Sequence, residues 1–303
     1  MPSVSVIVPA YGHAEFILQT LDSIFAQTFT DYEVIVINDG SPDDTSVVLA
    51  PLVKSGKIRY VEQSNQGVAA ARNLGISISV GDFIALLDDD DIWPPNKLEW
   101  QVSALKETRA LAVGGGVSFI IDDDSRGGDE FDNKRTDLDI TRFFRGNPFT
   151  SPGQVLFRRI AFTKGVRFDP SIWGADDLDF WIGLTQHGTI VYVNQLALRY
   201  RVHRSNASRN TVRMMANCRK VVEKRLPYVS KLESRNCSKA AYRWLFMVYG
   251  VVLVRNLKGS FAFSFNWLRD AATLGKELGK AFCRPSLKDI WIPIQFLKVI
   301  LRR

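Results

Sequence analysis

The sequence predicts an α/β fold, a mostly parallel sheet flanked by helices, with a helical C-terminal extension. Three observations predict it. Residues 3–110 alternate short runs rich in Val and Ile with segments whose apolar residues recur at helical spacing. That alternation implies parallel strands joined by crossover helices on both sheet faces. After residue 208 the pattern turns helical and basic, with no strand signal.

The first strand is expected over residues 3–10. Ile17, Leu21, Ile24 and Phe25 then mark a helix. A second apolar strand, 32–37, ends in Asn38-Asp39-Gly40. Ser41 is placed to cap the next helix, with Pro42 at its first position and Asp43 and Asp44 at its positive end. Residues 57–62 form a shorter strand. Gln66-Gly67 opens a helix carrying Ala70, Ala71, Leu74 and Ile78, and residues 83–87 are again a buried strand. Residues 110–121 read as a strand interrupted by Gly114-Gly115-Gly116, and 120–135 as a charged loop. Residues 154–157 read as a short strand, and a helix leads from Asp176 through Leu184. The division expected is a domain over 1–208, with a nucleotide-binding half (1–110) and an acceptor half (111–208), then the basic helical extension 209–303.

The strand at 83–87 ends abruptly in Asp88-Asp89-Asp90-Asp91. Four adjacent carboxylates repel one another, and a hard divalent ion such as Mg2+ or Mn2+ is their natural compensator. Open parallel sheets bind ligands beyond the carboxyl ends of their strands. Pro9-Ala10-Tyr11, Asp39 and the acidic run all fall there, so the fold is expected to gather them at one edge. Asp176, Asp177 and Asp179 open a helix, and three Asp exceed what one cap requires.

Composition excludes several classes. Of 303 residues, 46% are hydrophobic and 23% charged, ordinary for a globular protein. The net charge of +7 is unevenly spread, with acidic residues crowding 88–91, 122–139 and 176–179, which argues against a nucleic-acid partner. Three cysteines form no paired framework, so reduced thiols and a cytoplasmic location are expected. The N-terminus reads as a strand and not as a signal peptide. The apolar run 244–254 falls short of the ~20 residues a membrane span needs.

In the order and spacing of these residues the chain resembles the family 2 glycosyltransferases, inverting nucleotide-sugar enzymes of the GT-A (nucleotide-diphospho-sugar transferase-like) fold. The resemblance covers residues 3–208. It is carried by Val4-Ser5-Val6-Ile7-Val8-Pro9-Ala10-Tyr11, Ser23-Ile24-Phe25-Ala26-Gln27-Thr28 and Val36-Ile37-Asn38-Asp39-Gly40-Ser41. It continues through Asn65-Gln66-Gly67-Val68-Ala69-Ala70-Ala71-Arg72-Asn73, the acidic run, Phe168-Asp169-Pro170-Ser171, Asp176-Asp177-Leu178-Asp179 and Tyr200-Arg201-Val202-His203. The resemblance implies a nucleotide-base pocket at Pro9, Ala10 and Tyr11, with Asp39 on the base edge and Arg72 near ribose and diphosphate. It places Asp88 at the ribose, with Asp89 beside it, and Asp90 and His203 at a metal. Asp177 is the implied general base. Asn38 departs from the Asp of many relatives, Asp176 replaces a frequent Glu, and the fully acidic run leaves the motif's register open.

The implied activity is transfer of a sugar from a nucleotide-diphosphate sugar, UDP-sugars being commonest, to a hydroxyl of a glycan or lipid-linked acceptor. Two other classes compete. A nucleotidyltransferase would need a basic phosphate-reading loop early in the chain, and residues 9–20 hold no Lys or Arg. A non-catalytic nucleotide-sugar or glycan-binding module would need neither Asp177 nor a metal. Residues 287–303 combine an apolar body with a basic stripe, the pattern of a helix lying on the inner face of the cytoplasmic membrane or packing on the protein itself.

Overall fold

Val4–Ala10 form the first strand, β1, and all seven residues are buried. A strand flanked on both sides and covered on both faces must be apolar throughout, which is how this run reads. The computed structural model describes residues 1–121, 124–126 and 131–250. The helix Ile17–Phe25 (α1) follows and buries Ile17, Leu21 and Ile24. Then come Tyr32–Asn38 (β2), Thr45–Lys54 (α2), Arg59–Glu62 (β3), Val68–Ile78 (α3), Phe83–Leu86 (β4) and Lys97–Glu107 (α4). β1 pairs in parallel with β2 and β4, so that Val6 lies beside both Val34 and Ala85. A Cβ at Gly75 would lie 2.4 Å from Cγ2 of Ile7, so only glycine lets α3 lie this close to β1. The same face of α3, one turn earlier, carries Arg72.

α2 starts three residues later than the expected Pro42. Ser41 does not cap it. Ser41 Oγ accepts from the Gly12 N–H (3.3 Å), and Asp43 accepts from the Ala14 N–H (2.9 Å). These two side chains hold the loop after β1 and leave the helix to begin at Thr45.

The strand expected from residue 110 is Ala112–Ile121 (β5), unbroken at its glycines. The charged segment after it is not only loop. Asp124–Arg126 (β6) returns antiparallel to β5, and Arg135–Leu138 (β7) lies at the sheet's edge. A short helix, Ile140–Phe143 (α5), precedes Val155–Arg158 (β8) and Ile160–Thr163 (α6). Asp176–Thr185 (α7) and the long strand Ile190–Val202 (β9) complete this region. The strands run β3-β2-β1-β4-β8-β5-β9-β7, with β6 on β5. The sheet is mixed: β8 is antiparallel to both β4 and β5, whereas β9 runs parallel to β5. β9 is hidden in the sequence because Asn194 and Gln195 interrupt its alternation. They form a bulge, with Val193 opposite Gly115 and Leu196 opposite Gly116.

The described residues divide into two compact units. The first holds the sheet and comprises Met1–Leu138, Phe149–Ser171 and Gly183–His203. Its core gathers both sheet strands and helices, including Val6, Val36, Ala85, Leu98 and Leu198. The second comprises Asp139–Pro148, Ile172–Ile182 and the described residues from Arg204. Here Thr211–Arg225 (α8) and Lys231–Leu245 (α9) pack around Phe144, Val222, Val229, Cys237 and Ala241. Asn210 caps α8 and Ser230 caps α9, each through a side-chain oxygen. Among the described residues no helix is long and apolar enough to cross a membrane. The expected interfacial segment 287–303 and Cys283 lie outside the described residues.

Candidate functional site

Parallel pairing of β1, β2 and β4 sets their carboxyl ends side by side. The three loops that leave those ends carry Tyr11, Asp39 and the acidic run. Pro9 and Ala10 are the last residues of β1, paired with Ile37 and Asn38 of β2. The Ala10 carbonyl accepts from the Asp39 N–H (2.9 Å). Tyr11 leaves the strand and is 47% exposed, free to present its ring to a ligand.

Asp39 is buried and its carboxylate takes three donors. Gln63 Nε2 donates at 2.6 Å, and the backbone N–H groups of Gln66 and Gly67 both donate at 2.8 Å. It thereby fixes the start of α3, where Gly67 has φ +89°. Asn38 donates to the Tyr60 hydroxyl (2.7 Å) and accepts from the Ser41 N–H (2.9 Å). Arg72, buried on α3, donates to Asp88 at 2.6 Å and lies 5.5 Å from the centre of the Phe168 ring. Ser151 Oγ donates to the other Asp88 oxygen at 3.3 Å.

The four aspartates do different work. Asp89 points to the loop after β1, accepting from the Tyr11 N–H and contacting His13 Nδ1, each at 2.8 Å. Its hydrogen bond raises the His13 imidazole to about 9, while burial pushes the Asp89 carboxyl up to about 6. Together the two form an ion pair, and a metal bound at the ring's other nitrogen would displace the proton there. Asp91 is wholly buried and accepts from the Arg201 N–H (3.0 Å). Burial, reinforced by the charges of Asp90 and Asp88, pushes its carboxyl well above the usual range. Asp90 Oδ2 lies 2.8 Å from His203 Nε2, and the His203 ring lies 5.2 Å from both His13 and Phe16, centre to centre.

A cation fits this corner. His13, Asp90 and His203 each offer a ligand atom, and these atoms lie within 4.8 Å of one another. The 2.8 Å between Asp90 and His203 is close to the ~3 Å separating adjacent corners of an octahedron with ~2.1 Å bonds. His13 escaped the sequence reading. Its signal was its place just beyond the first strand, and it is one of only three histidines in the chain.

Asp177 lies in the second unit, in the first turn of α7. It accepts from Asn147 Nδ2 (2.9 Å) and from the Leu178 N–H (2.6 Å). Asp179, two positions on, is fully buried and bonds Lys224 and Arg225. Of the acidic residues that open this helix, Asp179 serves the packing of the second unit.

A family model described as glycosyl transferase family 2 matches residues 5–165, more than half of the chain. An uncharacterized glycosyltransferase of Rickettsia prowazekii (strain Madrid E) is 29% identical over 71% of this chain and 68% of its own length. One of Rickettsia bellii is 30% identical over 68% of this chain and 29% of its own length, so the chain spans less than a third of that relative. Chondroitin synthase of Escherichia coli is 28% identical over 69% of this chain and 30% of its own length. Among solved structures, S. aureus TarS 1-349 in complex with UDP-GlcNAc superposes with a TM-score of 0.70 at 16% identity, covering 91% of this chain and 81% of its own. The mannosyltransferase PcManGT of Pyrobaculum calidifontis, in complex with GDP-Man and Mn2+, gives 0.61 at 17%, covering 99% and 84%. At such identities these likenesses are ones of fold. The ordered motifs, the mixed sheet with its acidic strand end, and the match over residues 5–165 together show that the chain belongs to glycosyl transferase family 2.

Proposed function

We propose that this chain is an inverting glycosyltransferase that moves a sugar from a nucleoside-diphosphate sugar, a UDP-sugar in first place, to a hydroxyl of a glycan or lipid-linked acceptor. The observation that carries the reading is the pairing of Asp90 with His203 next to the Arg72–Asp88 pair, beyond the carboxyl end of β4. That is where an open α/β sheet receives its ligand. The complexes of relatives of like fold with UDP-GlcNAc and with GDP-Man and Mn2+ support a nucleotide-sugar donor and a divalent metal.

In this reading Pro9, Ala10 and Tyr11 border the nucleotide base. Asp39 orders the loop that meets it, and Asp88 and Arg72 face ribose and diphosphate. Asp89 holds Tyr11 in place. Asp90 and His203 would hold Mn2+ or Mg2+, which when bound supplies Lewis-acid compensation for charge on the leaving diphosphate. Asp177 takes the proton of the attacking hydroxyl, as an ionised carboxylate within hydrogen-bond reach can. Attack opposite the leaving group inverts the anomeric carbon. The catalytic domain is assigned to 1–208 and the extension to 209–303. The apolar and basic pattern of 287–303 supports peripheral contact with the inner face of the cytoplasmic membrane and a role in building cell-envelope polysaccharide.

The test is release of nucleoside diphosphate from a panel of nucleotide sugars, with and without Mn2+. Metal-dependent release that Asp90→Ala abolishes supports the transferase. Donor binding with no release under any condition supports a binding module and overturns the assignment. Co-sedimentation with anionic vesicles, weakening as salt rises, checks the membrane contact.

A further inference from the structure

The metal corner holds one side chain that the family resemblance does not supply. His13 leaves the loop after β1, and His203 follows β9, the strand that ends at Val202. They are far apart in sequence, yet their rings meet edge to face at 5.2 Å, with Asp90 in reach of both. Two of the chain's three histidines therefore converge on one carboxylate.

The orientation of His13 is fixed by its other nitrogen. Nδ1 contacts Asp89 Oδ1 at 2.8 Å, and Asp89 is itself held by the Tyr11 N–H on its second oxygen. A carboxylate on one imidazole nitrogen sets the tautomer, aims the ring and makes the other nitrogen a better donor. This is the arrangement that supports metal-bound histidines generally. It leaves Nε2 of His13 as the coordinating atom.

We propose that His13 is a third protein ligand, oriented by Asp89, so that the chain binds a divalent transition metal through two imidazoles and one carboxylate before any nucleotide arrives. The donor set has a consequence for selectivity. Two nitrogen donors suit Fe2+, Co2+ or Zn2+ and are accepted more weakly by Mn2+, whereas Mg2+ takes oxygen donors and keeps its waters. The site therefore prefers a transition metal over Mg2+. The inference takes its purpose for the cation from the metal-assisted reading above. Binding is measured without donor or acceptor, so its failure is distinguishable from failure of that reading.

The experiment is titration of chelator-stripped, nucleotide-free full-length protein with Mn2+, followed by loss of the aqueous Mn2+ electron paramagnetic resonance signal. The wild type is expected to bind one Mn2+ with an affinity at least tenfold above that for Mg2+. His13→Ala is expected to weaken binding by ~10–100-fold and Asp89→Asn by ~10-fold, the scale seen when ligand-orienting partners are lost. His187→Ala, which removes an exposed histidine elsewhere, leaves it unchanged. Pulsed measurements on the wild-type Mn2+ complex, which need no variant, are expected to show two coupled imidazole nitrogens. One imidazole in the wild type, or unchanged Mn2+ affinity in a folded His13→Ala protein, overturns the proposal. So does a wild type that binds Mn2+ only when a nucleoside diphosphate is added, because the protein donors would then be too few to hold the ion.

Discussion

Asp179→Ala is a sharp test of how the second unit is held. The carboxylate is fully buried and makes three charge-assisted contacts: Arg225 Nε at 2.6 Å, Arg225 Nη2 at 3.0 Å and Lys224 Nζ at 2.9 Å. The side chain of Lys224 is 40% exposed, so its ammonium regains water when the partner goes and contributes little. Arg225 is only 13% exposed, and its planar fork is left facing a cavity with no oxygen to receive it. Breaking a buried pair from one side costs about 3–5 kcal/mol, chiefly through the charge left behind, and the lower half of that range fits a partly solvated arginine. At the several degrees per kcal/mol of a unit of about 100 residues, a loss of ~3–4 kcal/mol lowers the melting transition of this unit by at least ~10 °C. Calorimetry and urea denaturation followed by tryptophan fluorescence read the change. Lys224→Ala is expected to cost under ~1 kcal/mol. Joint replacement, Asp179→Leu with Arg225→Met, is expected to recover most of the loss, because an apolar pair removes both desolvated charges. A cost below ~1 kcal/mol for Asp179→Ala, or a larger cost for Lys224→Ala, would refute the reasoning.

Three further outcomes are expected. Asp177→Asn should keep donor affinity in calorimetry and cut turnover by about 10²–10⁴, the usual scale for a lost general base; collapsed affinity with unchanged saturated turnover would make Asp177 a binding residue. Gly81→Ala places a Cβ 2.7 Å from the Ser5 nitrogen and 2.8 Å from the Val4 carbonyl carbon, backbone atoms that cannot step aside, so denaturation should show a loss of about 1–3 kcal/mol. Burial pushes the Cys218 thiol up to about 12, so at pH 8 its thiolate fraction is only ~10⁻⁴. In a Cys237→Ser, Cys283→Ser background the native protein should resist thiol reagents until urea unfolds it, and labelling at free-thiol rates would contradict the burial.

Much of the first unit was legible in the sequence, because strand and helix periodicity are local properties of the chain. β1, β2, β4, α1 and α3 lie where the apolar spacing of Val4, Val34, Ile84, Leu21 and Ala71 places them. The position of Asp39 and Asp88–Asp91 at one edge follows from parallel connection alone. Tertiary structure decided what depends on partners far along the chain. β9 was obscured by Asn194 and Gln195, whose bulge exists only against Gly115 and Gly116 of β5. The reversed direction of β8 carries no mark in its own residues. Four identical aspartates cannot be told apart by composition. In the fold Asp88 meets Arg72, Asp89 meets Tyr11 and His13, Asp90 meets His203, and Asp91 meets the backbone of Arg201. Asp179 likewise differs from Asp177 only through Arg225, which α8 brings to it. A carboxylate's role is set by the donors and the burial that surround it, and those are supplied by residues up to 113 positions away.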